Sequence, residues 1–378
     1  MINSPKYNKP VFKLNQPDDS YKAQPLPQPS GKYPYHLALQ DILPAISPAS
    51  MAFHIAGDTG NLRAFSYQTL VAAGMVQQCE QSSPQQSQPC FLYHLGDVVY
   101  NHGEAFEYER QFFQPFKNYP GPIFAIAGNH DSDVNPDAET PYNSLDAFRT
   151  VFCDTLSREV AFNTTNRKSI TQPNVYWVLD TPLATIIGLY SNVPKYGFID
   201  ARQRAWFIDQ LKAAASKRPD KALLVCIHHS PYSADVNHSS SLTMIDFLES
   251  AYQEANVKPD IVFSGHVHNY QRLCKHYPDG STVPYIVAGA GGYDELHAIA
   301  DTDDIRFNGD SPRLDQVDLL SYCDTKHGFL KVNLEKTPSG VSITTEYYTV
   351  PDELHEGEPL TVTLVDSFTK VIEKIEAG

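Results

Sequence analysis

Positive charge is scarce in this sequence. Lys and Arg total 29 against 44 Asp and Glu, a formal net charge of −15. Non-specific binders of nucleic acid or of anionic membranes need a basic footprint, so no nucleic-acid binding is expected. A small phosphorylated substrate stays compatible, because a bound metal can supply positive charge locally. Long apolar runs are missing too: none reaches the length needed to cross a bilayer. The opening residues, MINSPKYNKPVFKLNQPDDS, carry no apolar stretch after a charged start, so no secretory signal is visible. Cysteine is sparse and scattered, at Cys79, Cys90, Cys153, Cys226, Cys274 and Cys323, with no Cys-x-x-Cys pair. Free thiols in a reducing compartment are expected, although spacing alone permits a Cys79–Cys90 bridge. The cytoplasm is the default location. An exported mature form would also lack its signal.

What is present is ordinary globular material: 378 residues, 42% hydrophobic, 19% charged and 11% aromatic. That composition excludes a disordered tail protein, a collagen-like chain and a disulfide-packed miniprotein. The length suits one large domain or two smaller ones. Residues 1 to about 48 are rich in Pro, Gln, Tyr and Lys and lack periodicity, and they read as an extended arm or a partly ordered tail. The Gln/Ser/Pro stretch 77–89 reads as a surface loop. The main domain is expected over residues 49–350, and residues 351–378 as a last strand pair or a tail. Nothing in the sequence sets the oligomeric state.

From about residue 50 a pattern recurs, in which a short apolar run stops abruptly at polar residues. The runs are 51–56, 91–95, 123–127, 184–190, 222–227, 261–264 and 285–288, and most stop at a glycine. Runs of this length and ending read as buried strands. Helical spacing appears between some of them. Asp200 and Gln203 resemble a capping box, followed by Ala201, Ala205, Ile208, Leu211 and Ala215 as a core-facing stripe. Leu242, Ile245, Leu248 and Tyr252 form a second. Strands alternating with helices imply an α/β domain, where function sits beyond the carboxyl ends of the strands.

The residues at those ends carry chemistry. They are Gly57-Asp58-Thr59-Gly60, Gly96-Asp97-Val98-Val99-Tyr100, Gly128-Asn129-His130-Asp131, Val225-Cys226-Ile227-His228 and Gly265-His266-Val267-His268. Each alone is a weak motif that a turn could explain. Their common order and placement make the set specific. The set resembles the calcineurin-like metallophosphoesterase superfamily, and within it the purple acid phosphatase branch, over roughly residues 50 to 300. The wider superfamily usually has a His two residues after the first Asp, where this chain has Gly60. The purple acid phosphatase branch lacks that His and has a Tyr three residues after the second Asp, where Tyr100 stands. The segments from Gly265 to Arg272 and from Ala288 to Gly292 are also similar to that branch.

The resemblance implies a two-sheet β-sandwich flanked by helices, in αββα layers, with a site for two metal ions at one edge. The first motif begins near residue 57, so the architecture is expected to be closer to the small single-domain type than to large relatives with an added N-terminal sandwich. By resemblance, Asp97 bridges the metals, since one carboxylate has two oxygens to share. One site would hold Asp58, Asp97, Tyr100 and His268, an oxygen-rich set suited to Fe(III). The other would hold Asp97, Asn129, His228 and His266, suited to Zn(II), Fe(II) or Mn(II). His228 fits the family's Val-x-x-His, leaving its neighbour His229 as a residue near the metals or substrate, or an exposed loop residue. His130 would stabilise the phosphoryl group or protonate the leaving oxygen. His238, ten residues after His228, would be a substrate-facing acid or else a solvated loop residue. His54 and His94 read as strand residues and His102 as a rim residue.

The expected activity is hydrolysis of phosphate esters, foremost monoesters, by direct attack of a metal-bound hydroxide. No nucleophilic Ser or Cys is needed, and no P-loop lysine pattern is present. A phosphodiesterase with the same metals is the alternative, decided by a pocket expected from loops 132–174 and 298–326. A catalytically silent scaffold on the same fold is the third reading. It would be expected to have lost ligands, and every expected ligand position is filled.

Overall fold

The apolar runs become the central strands of two sheets. The computed structural model describes residues 5–62, 66–81 and 87–373. A six-stranded sheet runs, edge to edge, Thr363–Glu373, Gly340–Thr349, Gly328–Lys336, Ser50–Ala56, Pro89–His94 and Ile123–Ala125. An eight-stranded sheet runs Val317–Cys323, Tyr270–His276, Thr282–Ala288, Ile261–Ser264, Ala222–Ile227, Ala184–Gly188, Trp177–Asp180 and His36–Ala38. The sheets bury their inner faces against each other through Phe53, Phe91, Tyr93, Trp177, Leu224, Phe263 and Ile286. Tyr93 stacks near Trp177 at 6.0 Å between centroids, and Tyr270 stacks on Tyr347 at 3.9 Å. Alternation explains the segregation: along Ser50–Ala56, Phe53 and Ile55 enter this inner core while His54 points the other way.

Helices cover the outer faces, giving the expected αββα layering. Ser66–Glu80 packs on the six-stranded sheet, and Ala201–Ala215 with Leu242–Ala255 on the eight-stranded one. The stretch 77–89 is therefore not all loop: residues 77–80 end the first helix, while 82–86 lie outside the described residues. Asp200 does cap its helix, accepting the Gln203 N–H at 2.8 Å. Gln203 does not return the bond. Its side chain pairs with both backbone polar groups of Tyr190, at 2.8 Å each. The buried stripe of that helix accordingly differs from the expected one. Ile208 and Leu211 are buried as expected, but Ala201 and Ala205 are exposed, and Gln203, Trp206, Phe207, Gln210 and Ala214 face inward as well. The second stripe faces the core through Ile245, Leu248 and Tyr252.

The N-terminal segment is stitched to the rest of the chain. His36–Ala38 adds a parallel edge strand beside Trp177–Asp180, and Phe12–Lys13 pairs with Phe307–Asn308. Near the other end, Thr363–Glu373 pairs antiparallel with Gly340–Thr349. All six cysteines are free thiols. No described helix is long and apolar enough to cross a membrane.

The middle strands place the chemistry. Ser50–Ala56, Pro89–His94 and Ile123–Ala125 are parallel, as are Ala184–Gly188, Ala222–Ile227, Ile261–Ser264 and Thr282–Ala288. Their carboxyl ends meet at one end of the sandwich. There Gly57 N–H donates to the Ala288 carbonyl at 2.9 Å, and Asp58 N–H to the Gly96 carbonyl at 2.9 Å.

Candidate metal centre

Three donors converge at the first strand end. The Tyr100 hydroxyl lies 3.3 Å from Asp58 Oδ1 and 3.3 Å from His268 Nε2, and His268 Nε2 lies 3.5 Å from Asp58 Oδ1. A second group adjoins it. His228 Nε2 is 3.4 Å from Asp97 Oδ2 and 3.1 Å from Asn129 Oδ1. Donor atoms of Asp97, His228 and His266 all lie within 4.8 Å of one another. Asp97 also contacts the Tyr100 hydroxyl, so its carboxylate adjoins both groups. The structure thus brings together all seven residues in which the sequence suggested metal ligands.

Local backbone geometry aims these side chains. Asp58, Asp97 and His266 have φ of 57°, 53° and 66°, the left-handed region that L residues rarely adopt. Each turns the chain sharply as it leaves its strand, and the side chain folds back over the strand ends. A Cβ on Gly128 would meet Asp97 Oδ1 at 2.1 Å, so only glycine lets this loop approach the central carboxylate. Hydrogen bonds then fix ring orientation. His228 Nδ1–H donates to the Leu95 carbonyl at 2.8 Å, and His268 Nδ1–H to the Glu295 carbonyl at 3.2 Å. Both rings therefore direct Nε2 at the site, where a bound metal would displace any proton.

Burial concentrates charge here. Asp58 and Asp97 are almost fully enclosed. Burial pushes the Asp58 carboxyl up to about 8, with the Asp97 charge adding to it and His228 opposing. Burial also acts against ionised Asp97, but His228 and His130 beside it hold it well below the usual carboxylate range. His228 is raised to about 9, burial being outweighed by Asp97. Burial and the neighbouring imidazoles keep His266 neutral, and its Nε2 is enclosed without a hydrogen-bond partner. Two carboxylates, a phenol, an amide and three imidazoles directed at one small volume suit cations. The unpartnered His266 nitrogen fits that reading, because a buried polar atom is otherwise costly to leave unsatisfied.

The remaining histidines take distinct places. His130 N–H donates to Asp97 Oδ1 at 2.9 Å, and its ring Nδ1–H to the Asn101 carbonyl at 2.6 Å, leaving Nε2 for a ligand. His229 is no exposed loop residue. It is fully buried, with Nδ1 2.7 Å from the Ser191 hydroxyl and its ring 4.3 Å from that of His266. His238 is half-buried, and its ring lies 3.9 Å from that of His266. His54 and His94 are buried strand residues, each held neutral at about 3, chiefly by burial. His94 supports the site from below: its Nδ1 accepts the Gly96 N–H at 3.1 Å and its Nε2 pairs with Thr59 Oγ1 at 2.8 Å. His102 sits at the rim, 3.2 Å from Asp133.

Sequence reasoning assigned no role to several residues that organise this centre. Asp131 accepts Val98 N–H at 2.9 Å, Val99 N–H at 3.2 Å and Gly128 N–H at 2.8 Å, clipping the loop of Asp97 to the loop of Asn129. Its place next to His130 was the available signal. Gln111, from a wide helical turn at Glu109–Phe113, clamps Tyr100 by accepting its N–H at 3.0 Å and donating to its carbonyl at 2.6 Å. Asp235 accepts backbone N–H groups of Asn237, His238 and Ser239 and lies 3.3 Å from His297. His297 stacks on His268 at 4.2 Å. No local pattern links Asp235, His297 and Gln111 to the motifs.

A cavity of about 700 Å³ opens over Asn129, His238 and His266. The loop 132–174 contributes Asp133, Val134 and Pro136, whereas 298–326 contributes nothing. Asp19, Tyr21, Lys22, Gln24, Val193 and Lys195 also line the cavity.

Residues 51–270, more than half of the chain, match the family model for calcineurin-like phosphoesterases. A relative, the Fe(3+)-Zn(2+) purple acid phosphatase 12 of Arabidopsis thaliana, is 28% identical over 46% of this chain and 37% of its own length. The chain therefore spans little more than a third of that relative. Among solved structures, GAP50, the anchor in the inner membrane complex of Plasmodium, is 15% identical, with 86% of this chain and 90% of that chain covered and a TM-score of 0.54. PhoD is 14% identical, with 92% and 72% covered and a TM-score of 0.51. At such identities the likeness is one of fold.

Proposed function

The chain belongs to the calcineurin-like phosphoesterase family, and on that premise we propose that it hydrolyses phosphate monoesters at a centre of two metal ions. The observation that carries this is the pair of donor groups sharing Asp97: Asp58, Tyr100 and His268 on one side, and Asn129, His228 and His266 on the other. Two cations held there would acidify water and neutralise phosphoryl oxygens, which is what in-line displacement at phosphorus requires. The Tyr100 side suits Fe(III), in line with the iron and zinc in the name of the Arabidopsis relative. The His228 and His266 side suits Zn(II), Fe(II) or Mn(II).

The chain's own groups do the rest. Asp97 fixes the spacing of the two halves, while its Oδ1 accepts the His130 N–H and so places that ring beside the phosphate. In its protonated form His130 would donate Nε2–H to a phosphoryl oxygen and so hold developing negative charge. His238 lines the cavity and carries a buried, unpartnered Nδ1, and we assign it to the leaving oxygen. His229 is packed behind His266 and steadies that ring.

Metal content and turnover test this together. Purified protein should carry about two metals per chain, one of them iron, and should cleave p-nitrophenyl phosphate faster than bis(p-nitrophenyl) phosphate. Two metals with faster diester cleavage would make it a phosphodiesterase. Protein that stays metal-free after incubation with iron, zinc and manganese would make it a silent scaffold.

A further inference from the structure

The cavity lined by Asn129 and His266 is also lined by Asp19, Tyr21, Lys22 and Gln24, a stretch that the sequence marks only as part of a surface arm. It is fastened at both ends. Asp19 accepts the Lys195 N–H through both carboxylate oxygens at 3.2 Å and pairs with Lys22 at 3.2 Å. At the other end, Gln24 N–H donates to Asn192 Oδ1 at 2.8 Å, and the Asn192 amide donates back to the Gln24 carbonyl at 2.9 Å. Asn192 makes that reciprocal pair from a left-handed backbone, φ 62°. An unselected surface loop needs no such anchoring.

The fastened turn presents one large side chain. Tyr21 is 82% exposed and lines the same cavity as Asn129, His238 and His266. Lys22 lies over its ring at 6.0 Å, the outer limit of such contacts, and most of the phenol is open. Single exposed aromatics are common and carry little meaning by themselves. This one differs because the turn that holds it is pinned on both sides and shares a cavity with Asn129 and His266. The cavity volume lies in the range of small-molecule sites, which pair an apolar or aromatic wall with a few polar anchors.

We propose that Tyr21 is a specificity-determining residue that stacks on a planar aromatic ring in the leaving group, so that the preferred substrates are aryl or heteroaryl phosphate monoesters rather than small aliphatic ones. This rests on the hydrolase reading above. In it, the metal-ligand residues and His130 take the phosphate, and the ring extends across the cavity to Tyr21. Off-centre stacking of two rings contributes about 0.5–1.5 kcal/mol beyond buried area, which is roughly two- to tenfold in affinity.

The test compares two non-hydrolysable probes, phenylphosphonate and methylphosphonate, by calorimetric titration of the metal-loaded protein. Hydrolysis of phenyl and methyl phosphate is measured alongside. The wild-type protein should bind phenylphosphonate several-fold more tightly. Tyr21→Ala should remove that preference and leave methylphosphonate unchanged, and Tyr21→Phe should retain it. Because Tyr21 is mostly exposed, the substitution leaves the core intact. A binding preference for phenylphosphonate that persists in Tyr21→Ala, or a wild-type protein that binds both phosphonates equally, would overturn the assignment alone. A wild-type protein that binds neither phosphonate and hydrolyses neither ester would overturn the hydrolase reading and this assignment with it.

Discussion

A Cβ on Gly60 would lie 2.9 Å from Cδ2 of Tyr100. It would also lie 2.7 Å from Gln111 Oε1 and from the Val98 carbonyl. The Tyr100 ring, held by Gln111, thus fills the space that a side chain at position 60 would need. A side chain at position 60 would therefore collide with the Tyr100 ring, with Gln111 and with the Val98 backbone.

Gly60→His should displace Tyr100, lower the melting temperature and reduce metal content. Overpacking of this kind costs about 1–3 kcal/mol. Because the Val98 carbonyl and Gln111 Oε1 stay in the way, adding Tyr100→Ala should restore only part of the lost stability. A double variant that is less stable than either single change would refute a clash between position 60 and the Tyr100 ring.

Tyr100→Phe should leave the fold intact and abolish any visible absorption of a tyrosinate–iron pair. The measurement is an absorption spectrum of iron-loaded protein before and after substitution. A visible band that survives would show that Tyr100 does not bind the iron.

Asp97→Ala should remove both metals and turnover together, because its carboxylate adjoins both donor groups. Loss of a group on which two ions depend should lower kcat by at least about a thousandfold. Metal analysis of the same preparation separates this from misfolding. A variant with full metal content and near-normal kcat would remove Asp97 from the centre.

Asp131→Ala should damage the centre without touching a proposed ligand. Three buried N–H groups, on Val98, Val99 and Gly128, would lose their acceptor. Each orphaned donor costs about 1–3 kcal/mol. A denaturation midpoint close to wild type would mean that the clip is unimportant.

The edge strand His36–Ala38 should respond to pH. His36 sits 3.2 Å from Asp180, and that hydrogen bond raises the imidazole above its ordinary value, against the effect of burial. A raised His stabilises the folded state fully below about pH 6.5, and the contribution fades as pH rises through the folded value. The His36 titration followed by NMR should therefore have a midpoint above about 6.5, and Asp180→Asn should lower it. An unchanged midpoint in that variant would assign the shift elsewhere.

The sequence by itself determined the strand ends and the chemistry placed on them. An apolar run followed by Gly-Asp, Gly-Asn-His or Gly-His is a local signal, because burial and chain reversal are both written in adjacent residues. The ligand roles of Asp58, Asp97, Asn129, His228 and His266 are what the resemblance of the whole set to a known family implies, and His228 follows Ile227 with no glycine between. Tertiary structure decided what depends on residues far apart in the chain. His228 rather than His229 lies against Asp97 and Asn129, because the Leu95 carbonyl turns the first ring and the Ser191 hydroxyl holds the second. Gln203 leaves its expected capping partner for Tyr190 across the fold, and the buried face of its helix is set by the sheet beneath it. Residues 19–24 become a cavity wall only because Asn192 and Lys195, some 170 positions away, hold them there. Local sequence encodes the donors, and packing between distant segments sets their directions, their partners and the space left for a substrate.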